Sequence, residues 1–159
     1  MQKGLGEPVV INPSYITEEV AYWRKANAIH KWFVANVQDG VDECQEAYVE
    51  REQLQELLEI CETIIDGSVL ADGVVINGYT MSAAADAAPG WVPQYEPGRV
   101  ITNPELAESL LPTSNGFFFG GTEYDVYYMH DIIYTRDTLR TLLDPENEDD
   151  GDFYYHSSW

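Results

Sequence analysis

Arg24, Asn27, His30 and Lys31 fall side by side on a helical wheel, with Trp23 next to them, because residues three, four and seven apart share a face at about 100 degrees per residue. Their chemistry is complementary. Two cations take phosphate, an amide and an imidazole form hydrogen bonds, and an indole stacks on a base. A second group lies far along the chain, where Gly120, Gly121 and Thr122 are expected to enter a helix. Free backbone N–H groups, a hydroxyl and the positive end of the helix dipole make an anion cradle there. Tyr127 and Asp131 follow on that helix, the first as a stacking face and the second as a partner for His30. The whole set suits a small anionic ligand with an aromatic part, such as a nucleotide.

Each member also has a plainer reading. The apolar arc expected from Tyr22, Ala26, Ile29, Phe33 and Val37 encloses His30 and has Asn27 at its edge. Both residues then belong to a satisfied polar network between two packed helices, since a buried polar group without partners costs about 1–3 kcal/mol. Glycine ahead of a helix cap commonly serves chain geometry alone. The case for an enzyme is poor, with no GxSxG, HExxH, P-loop or paired Cys and His. No catalytic residue, metal or cofactor is expected.

The charge constrains partners. Against 28 acidic residues the chain has eight Lys and Arg, for a net charge of -20. Such a chain repels nucleic acid and anionic membrane, so direct binding to either is not expected. Acidity confers solubility, or else it meets a basic partner protein. Three of the eight cations, Arg24, Lys25 and Lys31, nevertheless sit together between Glu19 and Val37. Cys44 and Cys61, with no CxxC and no signal peptide upstream, fit free thiols in a reducing cytosol. The uncharged run Ala87 to Tyr95 carries two prolines and a glycine and cannot span a membrane. With 13% aromatic residues there is room for a homo-oligomer interface.

The elements that must position the site follow from periodicity and caps. The first sixteen residues read as an extended arm or edge strand. Thr17, followed by Glu18 and Glu19, predicts a helix start, and the helix should run to about Val37. The stretch around Cys44 and Tyr48 reads as loop or short strand. Leu54, Leu57, Leu58, Cys61, Ile64 and Ile65 recur at three and four, which predicts a second helix from about Glu50 to Asp66 and Gly67. Glu52, Glu56, Glu59 and Glu62 form its solvated side. Asn77-Gly78 between β-prone triplets predicts a tight hairpin, and the Gly, Ala and Pro of the stretch that follows predict an irregular insertion, the whole spanning about 67–102. A short helix should open at Asn103-Pro104 and end by Pro112. The three phenylalanines 117–119 read as a buried strand or plug, and a last helix should run from Thr122 to about Leu143. The expected fold is α+β and mainly α-helical, with about three helices and a small β element. It forms one globular domain over 1–143, followed by a flexible acidic tail over 144–159.

Three blocks, YWRKANAIHKWFV, REQLQELLEIC and LLPTSNGFFFGGTEYDVYY, resemble a group of short uncharacterised proteins encoded by bacteriophages. The resemblance covers roughly Tyr22 to Tyr134, leaving out the insertion from Val69 to about Arg99 and the acidic tail. It implies a phage origin and a role in the cytoplasm of the infected host, and it carries no activity with it. The expectation is then a counter-defence protein that sequesters a nucleotide immune signal without catalysis. The alternative is an acidic, DNA-mimicking inhibitor of a basic host nuclease, polymerase or defence protein.

Overall fold

In a computed structural model, residues 13–82, 90–115, 121–147 and 151–158 are described. The order among them is α1 (Asn27–Asn36), β1 (Ala47–Val49), α2 (Arg51–Gly67), β2 (Leu70–Ser82), β3 (Gly90–Ile101), α3 (Glu105–Leu110), α4 (Val126–Leu142) and β4 (Phe153–Tyr155). The strands form two separate antiparallel pairs, β1 with β4 and β2 with β3. The chain is therefore α+β but not mainly helical, because two stretches expected to be irregular are strands.

The second helix begins and ends as its sequence predicts. Glu50 accepts from the backbone of Gln53 while the Gln53 side chain accepts from the Glu50 N–H at 3.0 Å, a reciprocal cap. Leu54, Leu57, Leu58, Cys61 and Ile64 line its buried face. They meet Tyr128, Met129, Ile132 and Leu139 of α4 and Ile29 and Phe33 of α1 in one core. Burial pushes the Cys61 thiol up to about 12, with the charge of Glu62 adding to it, so Cys61 acts as a small apolar side chain.

The first helix is shorter than its wheel implied. Residues 17–26 are not helical, and Lys25 sits at φ 58, a left-handed conformation that stops a helix from extending back through it. The segment is tied to α4 instead. The Tyr22 N–H donates to the Tyr134 hydroxyl at 3.1 Å, and the Trp23 indole N–H donates to Thr135 Oγ1 at 2.8 Å. Tyr22, expected on the apolar arc, is consequently 61% exposed. At its other end α1 closes through Asp39 and Gly40, both at positive φ, with the Gly40 N–H donating to the Val34 carbonyl.

The insertion is a long ribbon. Leu70 pairs with Ile101 and Ser82 with Gly90, and Asn77-Gly78 lies within β2 as a bulge between Ile76 and Tyr79, not at the turn. Gly78 takes φ 88 there, which is what its lack of a Cβ allows. Pro93 and Pro97 are tolerated because a two-stranded ribbon leaves one side of β3 unpaired, so a missing N–H costs no ladder bond. Asn103 does not cap α3. Its amide donates to the Gly67 carbonyl at 2.7 Å and its Oδ1 accepts from the Val69 N–H at 2.8 Å, closing the end of α2.

The last helix starts four residues later than Thr122. Asp125 is its N-cap, accepting from the N–H groups of Tyr127 and Tyr128 at 2.9 and 3.1 Å. The expected tail is also not loose throughout. Phe153–Tyr155 pairs with Ala47–Val49, and the Tyr155 ring stacks on Phe33 with centroids 4.0 Å apart and planes 3° from parallel. The phenylalanines 117–119 lie outside the described residues.

Candidate functional site

Arg24 and Lys25 stand just before α1, where the left-handed turn at Lys25 breaks the chain out of its extended path. Across from them, the approach to α4 brings Gly121, Glu123 and Asp125, and the helix itself adds Tyr127, His130 and Asp131. The β2 bulge adds Ile76 and Asn77 at the rim. These segments enclose a cleft of about 380 Å³, within the size range of small-ligand sites.

One wall is cationic and the other carries three carboxylates. Asp131 has been drawn up to about 6, chiefly by burial and then by the charge of Asp125. Asp125 is raised as well, by burial, against the opposing pull of its two backbone N–H donors. The Tyr127 hydroxyl donates to Glu96 Oε1 at 2.8 Å, and that bond is the main reason its ionisation is pushed up. Tyr127 thus bridges α4 to the ribbon, while 43% of it remains exposed.

The expected site residues separate. Arg24, Asn27, Gly121, Tyr127 and Asp131 meet in this cleft. Asn27 is buried and structural in its contacts, donating to the Gly121 carbonyl at 2.9 Å and accepting from the Ser114 N–H at 3.0 Å. Trp23 and His30 line a different groove, of about 620 Å³, between residues 17–26, α1 and β4. Lys31 is exposed on α1 and lines neither space, and Thr122 spends its carbonyl on the Thr113 hydroxyl. Gly120 lies outside the described residues.

Two expected geometries are corrected. Asp131 does not hold His30. The His30 ring lies between Asp42, 3.0 Å from Nε2, and the Tyr155 hydroxyl, 2.6 Å from Nδ1. With a neutral ring the carboxylate can only accept, so Nε2 carries the hydrogen and Nδ1 accepts from Tyr155. Nor do Gly121 and Thr122 present a helix end to an anion, because the Asp125 carboxylate already occupies the N-terminus of α4. An anion in the cleft must be held by Arg24 and Lys25.

Lys25, Asn77, Glu123, Asp125 and His130 were not anticipated. Lys25 and His130 adjoin residues that were, so a wider reading of the same segments would have found them. Asn77 had no local signal, since only the bulge in a long ribbon carries it to the rim.

No family model, curated protein or solved structure matches this chain. Among the described residues no helix is long and apolar enough to cross a membrane.

The position of Asp131 has a measurable consequence. Its folded value lies above that of the unfolded chain, about 4, so its contribution to stability is present in acid and is lost as pH rises from there through about 6. Asp131→Asn should match the parent in urea unfolding at acid pH. At pH 8 it should be more stable by on the order of 1–2 kcal/mol, a figure already reduced for solvent screening. A variant less stable than the parent at pH 8 would refute a half-buried carboxylate that burial holds above its ordinary value.

Proposed function

We propose that the protein is a phage counter-defence factor that binds a small anionic ligand, a nucleotide, in the Arg24–Asp131 cleft and sequesters it without catalysis in the cytoplasm of the infected host. What supports the reading is the convergence of a cationic wall with an aromatic and hydrogen-bonding wall around a space of ligand size. In this reading Arg24 and Lys25 take phosphate, the Tyr127 ring lies along the base, and Asp131 and Asn77 accept from and donate to its polar edge. Three carboxylates in the cleft disfavour a bare phosphate and favour a ligand whose charge is confined to one end. Binding should tighten as pH falls through about 6, where Asp131 loses its charge.

The test is thermal unfolding against cyclic and linear nucleotides and ADP-ribose derivatives. A ligand at 100 times its dissociation constant stabilises by about 2.7 kcal/mol, or roughly 5–10 °C at this chain length. Arg24→Ala with Lys25→Ala should abolish the shift. If every nucleotide leaves the curve unmoved, the reading fails.

A second reading is favoured by Glu52, Glu56 and Glu59, which remain exposed along α2, whereas Glu62 is paired with Arg140 at 2.8 Å. It makes the protein an acidic inhibitor of a basic host protein. Such binding weakens steeply with salt and survives the Arg24 and Lys25 substitutions.

A further inference from the structure

The β2–β3 ribbon has two unlike faces. Residues directly opposite in an antiparallel pair share a face, and alternate residues along a strand return to it. By that rule the pairs Met81 with Trp91, Tyr79 with Pro93, and Val74 with Pro97 place the exposed residues Val74, Tyr79, Met81, Trp91 and Tyr95 on the face of half-buried Ile76, which pairs with Tyr95 and also reaches the cleft rim. All five are exposed, between 51% for Tyr79 and 66% for Tyr95. The other face is largely polar or packed, with Val92, 40% exposed, its one open large apolar side chain among the described residues. Val75 is 3% exposed, Glu96 accepts from Tyr127, and further out Gln94 donates to Thr80 Oγ1 at 2.7 Å. A ribbon in water would be polar on both sides, so an apolar face opposite a polar one indicates a face that is covered.

We propose that a second copy of this chain covers it, forming a two-fold dimer through the aromatic faces of the two ribbons. Area is the first argument. Aromatic side chains present about 150–250 Å² each, so five large residues at these exposures offer roughly 600 Å² per copy, close to the ~800 Å² of a standard interface. Charge is the second. Along the ribbon the charged residues are Asp72, Glu96 and Arg99: Asp72 and Arg99 face each other as opposite charges at its base, so this face has no net charge, and Glu96 lies on the opposite face, bonded to Tyr127. In a chain of net charge -20, this is where two copies approach with least repulsion, and it offers nothing to attract a basic partner.

The outer edge of β3 argues for contact by faces. The Ile101 N–H donates away from β2, to the Tyr124 carbonyl at 3.0 Å. The N atoms of 97 and 93 point the same way by alternation, and both are proline. That edge therefore lacks two donors that an added strand would need. A flat contact through Trp91 and Tyr95 remains, of the kind in which Trp and Tyr anchor interfaces.

Sedimentation equilibrium of the full chain at micromolar concentration should give twice the chain mass. Trp91→Ser with Tyr95→Ser should give the monomer, with an unchanged far-ultraviolet circular dichroism spectrum. If that variant misfolds, Tyr79→Glu, which sets two like charges against each other on the same face, must dissociate the dimer. A parent protein that sediments as a monomer overturns the proposal, as does a dimer that survives either folded variant.

Discussion

Replacing Phe33 by alanine will remove about 4 kcal/mol of folding stability, within the 3–5 kcal/mol that truncating a buried Phe costs. Phe33 is 2% exposed and is the point where three aromatic side chains converge. Tyr155 lies parallel to it at 4.0 Å, Trp32 edge-on at 5.2 Å and Trp23 tilted at 5.7 Å. These neighbours come from β4, from α1 itself and from the extended segment before α1, so the cavity cannot close by moving one element. Domains of this kind have about 5–15 kcal/mol in total, and the variant should be near its unfolding threshold at physiological temperature. Urea unfolding measures it. A loss below about 1.5 kcal/mol would show that the aromatic cluster is not closely packed. A double-mutant cycle with Tyr155→Ala should give a coupling of about 1 kcal/mol for the stacked pair.

Ending the chain at Asp144 should be as damaging, although this segment reads as a solvated acidic tail. The cut removes β4, and with it the partner strand of Ala47–Val49 and the half-buried Phe153 and Tyr155. It also takes the Tyr155 hydroxyl from His30, which is 8% exposed and would lose a partner on Nδ1. Losing that hydrogen bond costs about 1 kcal/mol, and the lost burial of two half-buried aromatic side chains adds about 1 kcal/mol for each. The truncated protein should lose its cooperative unfolding transition, while Tyr155→Phe, which keeps the ring, should cost only about 1–2 kcal/mol. A truncated chain that melts like the parent would refute the strand pairing. Deleting the tail is consequently a poor way to ask whether its charge recruits a basic partner. Neutralising Asp144 and Glu146 in place, both exposed, asks that without disturbing β4.

These two experiments probe what sequence pattern did not reveal. Leu54 to Ile64 at spacings of three and four, with polar residues between, determined α2 by itself, because helix periodicity and caps are interactions among residues within one or two turns. Tyr128, Ile132 and Leu139, four and seven residues apart, fall on one face of α4 by the same local rule. Residues 17–26 were also read as helix and are not helical, since Trp23 and Tyr22 find hydrogen-bond partners 112 residues away on α4. β3 holds its two prolines only because β2 pairs with one side of it, and Phe153–Tyr155 becomes a strand only beside Ala47–Val49.

The candidate site divides along the same line. That Arg24, Asn27, Tyr127 and Asp131 were worth attention is a matter of residue chemistry, which sequence carries. Tertiary structure alone decided that they meet in one cleft, that Asn77 joins them from a bulge, and that His30 turns away to Asp42 and Tyr155. The reason is that a side chain's partner is set by which elements pack together, and that choice rests on burial summed over the whole chain and not on any local run of residues.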